Sequence, residues 1–155
     1  MPGILTIDVS NTCTALALWD GEVAAHHWRV SSLPGRTPDE YHVLLTALFS
    51  EHGLEPGAVA ACVLGCVVPE LAGTVVETCR RVFHLEPLVV GPGVHTGLRI
   101  DTDDPREVGA DRIANAVAAS ARYGVPVLVL DFGTATTVDV VGADGAYAGA
   151  IIAPG

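Results

Sequence analysis

The feature that most constrains this chain is a pattern that occurs twice. Residues 4–18 read ILTIDVSNTCTALAL and residues 127–141 read VLVLDFGTATTVDVV. In each, a short apolar run reaches an aspartate, a small polar turn follows, and a second β-prone run leaves it. An offset of 123 residues lays Asp8 on Asp131, Ser10 on Gly133, Asn11 on Thr134 and Thr14 on Thr137. Each copy then turns through an Asp-Gly pair, Asp20-Gly21 and Asp144-Gly145, into a third strand. Two copies of an uncommon pattern predict a duplicated fold with a cleft between its halves.

Composition narrows what such a fold can do. Half of the 155 residues are hydrophobic, enough for a sizeable core and against disorder. No apolar run reaches the roughly 18 residues that span a bilayer, so no membrane partner is expected. The opening MPGILTID carries Asp8 inside its apolar run and no basic segment, which does not read as a signal peptide. A net charge of −10 argues against nucleic acid and anionic membrane. All eight basic residues are arginine, which excludes a lysine-bearing phosphate loop and any lysine Schiff base. A polyphosphate ligand would have to be balanced by backbone amides, arginine or metal cations. Cys13, Cys62, Cys66 and Cys79 lack zinc-knuckle spacing and read as free thiols in a reducing cytoplasm.

Along the chain, Ile4–Val9 and Thr14–Trp19 form the first hairpin and Glu22–Val30 a third strand. Thr37-Pro38-Asp39-Glu40 is a helix start with a capping box, and Gly53 ends that helix. Val59–Val68 reads as a strand buried on both faces, Pro69 opens a second helix, and Pro87–Gly91 is a short buried strand. Residues 1–105 thus make one βββαβαβ half with parallel later strands. Gly91–Pro105 is a Gly- and Asp-rich loop of the kind that carries function. A helix over about Arg106–Tyr123, with Ala110, Ile113, Ala114, Val117 and Ala121 as its apolar side, leads into the second meander. Residues 106–155 are read as the start of a second half whose αβαβ remainder is missing, with truncation as the favoured explanation.

The turns have their own chemistry. Successive backbone N–H groups and small hydroxyls make a nest for phosphate oxygens. Asp8 and Asp131 belong beside phosphates only if each holds a cation; otherwise each hydrogen-bonds its own turn. In Val108-Gly109-Ala110-Asp111-Arg112, the carboxylate either partners the helix dipole and Arg112 or serves as base for an attacking hydroxyl. In the second case Arg112 would grip an anionic substrate group, as a bidentate fork.

Asp8-Val-Ser-Asn-Thr12, GPGVHTGL at 91–98, DDPREVGADRIANAVAA at 103–119 and DFGTATTVDVV at 131–141 together resemble type III pantothenate kinase. The similarity runs from Ile4 to the last residue. The resemblance implies an α/β fold of the ribonuclease H-like, actin-like ATPase class, built from two βββαβαβ halves. It implies ATP-dependent phosphorylation of pantothenate, the first step of coenzyme A synthesis, with Mg2+ and a K+ or NH4+ ion, in a cytoplasmic homodimer. Carried over residue by residue, Asp8, Val9, Ser10, Asn11, Thr12, Cys13, Thr14, Ala15 and Thr134 would contact ATP. Thr102, Gly109, Ala110, Asp111 and Arg112 would hold pantothenate, Asp111 as proton acceptor, and Asp131 would bind the monovalent cation. Four positions differ from the family pattern: Ser10 replaces a glycine, Cys13 a polar residue, His95 a lysine and Thr102 a tyrosine. The family also has a longer C-terminal part, which supplies much of its dimer interface. The competing readings are a non-catalytic or regulatory homologue (or inactive fragment) and a sugar kinase or polyphosphate phosphatase on the same fold.

Overall fold

The computed structural model describes residues 2–91 and 94–155, and the chain divides into two units, Met1–Val90 and Gly91–Gly155. Pro92 and Gly93 of the GPGVHTGL run lie outside the described residues.

The first unit is a five-stranded sheet with two helices. Its strands are β1 (Gly3–Val9), β2 (Cys13–Asp20), β3 (Val23–Ser31), β4 (Val59–Cys66) and β5 (Leu88–Val89), in the order β3-β2-β1-β4-β5. β1 to β3 form an antiparallel meander, while β4 and β5 run parallel through helical crossovers, as the pattern predicts. Alternation along β1 sends Leu5, Ile7 and Val9 into the core, with Leu45 and Phe49 of α1 (Pro38–Glu51) and Leu71 and Val75 of α2 (Pro69–Phe83). Each such burial is worth about 1.5–3 kcal/mol. Asp8 falls on the opposite face of the sheet with Thr6, because side chains alternate. The predicted capping box is present: Glu40 N–H donates to Thr37 Oγ1 (3.3 Å), and Thr37 N–H donates to Glu40 Oε2 (2.7 Å). Two strand expectations need correction. Ala60 and Ala61 of β4 are exposed, and β5 is an exposed two-residue edge strand rather than a buried one.

The second unit is a four-stranded sheet, order β6-β9-β8-β7, with one helix, α3 (Ala110–Tyr123). Its strands are β6 (Arg99–Ile100), β7 (Val127–Phe132), β8 (Ala135–Val141) and β9 (Ala146–Pro154). β6 lies inside the stretch read as loop and pairs in parallel with Ala146 and Tyr147 of β9. That pairing ties β6 to the second unit, and the division falls after Val90, ahead of the expected boundary at residue 105. Helix α3 begins at Ala110, because Pro105–Glu107 forms a separate 3-10 turn capped by the Asp104 side chain. Ala110, Ile113 and Ala116 are its buried residues, whereas Ala114 and Ala121 face out. Only part of the helix's predicted apolar side is therefore covered. The open apolar surface is the sheet's other face: Leu128, Leu130, Phe132 and Ile151 are 61%, 54%, 78% and 69% exposed.

The two meanders match strand by strand, with one correction to the simple offset. Val9 pairs with Thr14 across the first hairpin, and Phe132 pairs with Thr136 across the second. The second turn is one residue shorter, so Thr136 rather than Thr137 is the counterpart of Thr14. Both meanders carry a bulge at the same place. Trp19 pairs with Ala24 after Leu18 with His26, and Val141 pairs with Tyr147 after Val140 with Gly149. A repeated bulge re-aims the third strand identically in both copies. By this register Ala17 and Ala24 of the first copy correspond to Asp139 and Tyr147 of the second.

Candidate active site

In the first unit the turn between β1 and β2 is closed by the Ser10 N–H, which donates to the Cys13 carbonyl at 3.1 Å. Ser10 Oγ lies 3.5 Å from Asp8 Oδ2, and Asp8 pairs with Ala15 across the hairpin. Cys13 and Ala15 therefore share the Asp8 face, and Val9 and Thr14 point to the core side, where both are fully buried. Thr14 is held there by a 2.8 Å hydrogen bond with the Ser32 hydroxyl, so its side chain braces the turn from behind. Asn11 is exposed at the tip, and Thr12 accepts the Ser32 N–H on its carbonyl at 3.0 Å. Ser10 has an ordinary negative φ: among the described residues His84 is the one non-glycine residue with a positive φ. The Cβ that replaces the family's glycine thus meets no backbone strain.

In the second unit Asp131, next to last in β7, is exposed and paired with Thr137, and Thr134 is exposed in the turn that follows. The Asp131 carboxylate and the Thr134 hydroxyl are hard oxygen donors, the chemistry that a K+ or Mg2+ ion would take. Among the described residues no three His, Cys, Asp or Glu side chains gather into a metal cluster.

Helix α3 starts on the same face of this sheet. Gly109 is its N-cap and its carbonyl accepts the Ile113 N–H, at 3.1 Å. Asp111 sits in the first turn, half-buried, where its Oδ1 accepts the Arg112 backbone N–H at 2.8 Å. Free N–H groups and the helix dipole both favour a negative charge there. The neighbouring Ala110 is buried. Thr102, just past β6, buries its hydroxyl without a hydrogen-bond partner among the described residues. A cavity of about 290 Å³ lies nearby, lined by Val94, Leu98, Ile100, Arg106 and Ile113; neither Asp111 nor Asp131 lines it.

Arg112 has partners that the sequence did not announce. Its Nε–H donates to Asp139 Oδ1 at 2.8 Å and its Nη2–H to the Tyr147 hydroxyl at 2.6 Å. Tyr147 O–H in turn donates to the same Asp139 oxygen at 2.5 Å. Asp139 is fully buried and the Arg112 side chain 18% exposed. Burial works against the Arg112 charge, but its hydrogen bond to Asp139 and that carboxylate's charge outweigh it and hold the guanidinium's pKa above its ordinary value. Burial, then the bond to Asp139, pushes the Tyr147 phenol above its ordinary range, so it stays protonated as the donor. The side-on edge of Arg112 is thereby committed within the protein. A ligand fork would have to use the end-on edge at Nη1, which corrects the simple picture of a free bidentate grip. A carboxylate in mid-strand within TTVDVV was the one available signal for Asp139.

Comparison with known proteins identifies the chain's relatives. The sequence model of the family described as type III pantothenate kinase matches residues 4–155. The chain is 52% identical over 152 residues to a type III pantothenate kinase of Anaeromyxobacter sp. (strain K), and 50% identical over 152 residues to one of Roseiflexus sp. (strain RS-1). In both cases 98% of this chain is covered, and it spans 60% of the length of the curated relative. Among solved structures, a reductive activator for a corrinoid, iron-sulfur protein superposes with a TM-score of 0.60 at 14% identity, covering 97% of this chain and 31% of that one. The ethanolamine utilization protein EutJ from Carboxydothermus hydrogenoformans gives 0.56 at 13% identity, covering 99% of this chain and 52% of that one. These two distant likenesses speak for the actin-like α/β fold alone. With the family's sequence model matched from residue 4 to residue 155, the chain belongs to the type III pantothenate kinase family.

Proposed function

We propose that the protein transfers the γ-phosphoryl group of ATP to the primary hydroxyl of pantothenate, giving 4′-phosphopantothenate and ADP. The observation that carries this reading is Asp111 at the head of α3, set beside Arg112 in a chain half identical to type III pantothenate kinases. Asp111 orients the pantothenate hydroxyl and accepts its proton late, as the oxygen–phosphorus bond forms and the bond to ADP breaks. Gly109, Ala110, Arg112 and Thr102 hold the rest of pantothenate. Residues 8–15 receive the ATP phosphates on backbone N–H groups and small side chains, and Thr134 adds a hydroxyl. Asp131 holds a K+ or NH4+ ion. Together with Mg2+ carried by the nucleotide, that ion supplies the positive charge that a lysine-free chain lacks. The protein works in the cytoplasm as a homodimer; no helix among the described residues is long and apolar enough to cross a membrane.

A coupled ADP-release assay on the complete gene product, with ATP, Mg2+ and K+, tests the reading. Release that depends on pantothenate, and falls when Na+ replaces K+, is the expected result. A folded protein that releases no ADP would support instead the non-catalytic homologue, a reading that intact Asp8, Asp111, Arg112, Asp131 and Thr134 oppose.

A further inference from the structure

Asp139, inside the DFGTATTVDVV run, and Tyr147 were given no role from the sequence, yet both bond Arg112. The three side chains close a ring of hydrogen bonds, two into Asp139 Oδ1 and one into the Tyr147 oxygen. The second oxygen of Asp139 is buried with no partner among the described residues. Among the described residues the carboxylate is therefore held by Arg112 and Tyr147, and loosening either donor loosens the ring.

The duplication shows that the bulged meander itself forms without this ring. In the first meander the corresponding positions are Ala17 and Ala24, in a hairpin with the same bulge and the same strand order. Ala17 is half-buried and Ala24 exposed there, whereas Asp139 and Tyr147 are fully buried, where a carboxylate is costly unless it is held by donors. The ring also spans α3, β8 and β9, so it fixes the residue next to Asp111 to the sheet beneath it.

We infer that Asp139 and Tyr147 are positioning residues which lock the side-on edge of Arg112, so that its Nη1 end meets the substrate carboxylate in one orientation. The inference rests on the pantothenate kinase reading. Because Asp139 already balances the Arg112 charge, geometry rather than net charge gives the arginine its selectivity for a carboxylate. Neither residue touches substrate in this scheme.

The test compares an acid with its neutral analogue on the complete gene product. KM and kcat for pantothenate are measured together with the inhibition constant of pantothenyl alcohol, in which a primary alcohol replaces the carboxylate. Tyr147→Phe keeps the ring's packing but removes its hydroxyl. It should raise the pantothenate KM about 5- to 20-fold, with kcat within about 2-fold and the alcohol's inhibition constant unchanged, in line with loss of one charge-assisted contact. Asp139→Ala should do the same more strongly. Asp139→Asn, which keeps an acceptor for both donors, should recover most of that loss. Should Asp139→Ala fail to fold, Tyr147→Phe and Asp139→Asn still decide the matter. An unchanged pantothenate KM in Tyr147→Phe, or equal weakening of acid and alcohol, would overturn the inference while leaving the kinase reading standing. A folded wild type without pantothenate turnover would remove the kinase reading itself, and this inference with it.

Discussion

At the scale of single residues, the proposed kinase reading gives Asp111 the chemistry and Arg112 its orientation. Asp111→Asn keeps the shape and the helix-end hydrogen bond but cannot take the substrate's proton. It should lower turnover about 10²- to 10⁴-fold, with ATP binding by calorimetry unchanged; unaltered turnover would remove Asp111 from the role of base. Tyr147 adds a pH dependence whose sign is fixed. Its folded-state pKa lies above the ordinary phenol value, chiefly through burial and then Asp139. The proton is thus held more tightly when folded, so its contribution is complete below the ordinary value of about 10 and fades as pH rises beyond it. Urea midpoints measured between pH 8 and pH 11 should fall more steeply for wild type than for Tyr147→Phe. Asp111 and Arg112 were visible as candidates in the sequence because GADR is contiguous. Asp139 and Tyr147 were not, since their bonds to Arg112 cross 27 and 35 residues and leave no local spacing to read.

At the scale of elements, local rules worked where local chemistry decides. The capping box at Thr37 and Glu40, the prolines that open α1 and α2, and both Asp-Gly turns were visible in the sequence because each depends on neighbours within four residues. Thr37→Ala should cost about 0.5–2 kcal/mol of stability, measured by chemical unfolding. The Glu40 carboxyl sits below its ordinary range, held first by the Thr37 backbone N–H and then by its hydroxyl. Its contribution is therefore present above the ordinary carboxylate value and is lost as pH falls through the lowered one. The difference in melting temperature between wild type and Glu40→Gln should shrink as pH drops toward 3. Two-residue strands such as β5 and β6 have no periodicity, and their pairing is set by distant partners; β6 was read as loop for that reason. The start of α3 was placed four residues early, because Pro105 opens a 3-10 turn with the same sequence signals as a helix.

At the scale of the whole molecule, the duplication is the organising fact, and it exposes an asymmetry. Leu5, Ile7 and Val9 are buried in the first unit, while Leu128, Leu130 and Phe132 stand open on the matching face of the second. A contiguous apolar face of this kind promotes association. Residues 1–155 prepared alone should therefore self-associate in light scattering and bind a hydrophobic dye. Replacing Leu130 and Phe132 together by Asp should reduce both; a monodisperse, dye-negative 155-residue chain would contradict this. Family membership rests on the whole span of residues 4–155, and the activity follows from it only through the intact protein. The most direct measurement is phosphorus NMR of the complete gene product incubated with pantothenate, ATP, Mg2+ and K+. A phosphomonoester resonance of 4′-phosphopantothenate growing in step with ADP, and absent for Asp111→Asn, is the expected result. ATP consumption that ignores pantothenate, or product formed as fast by Asp111→Asn, would contradict it.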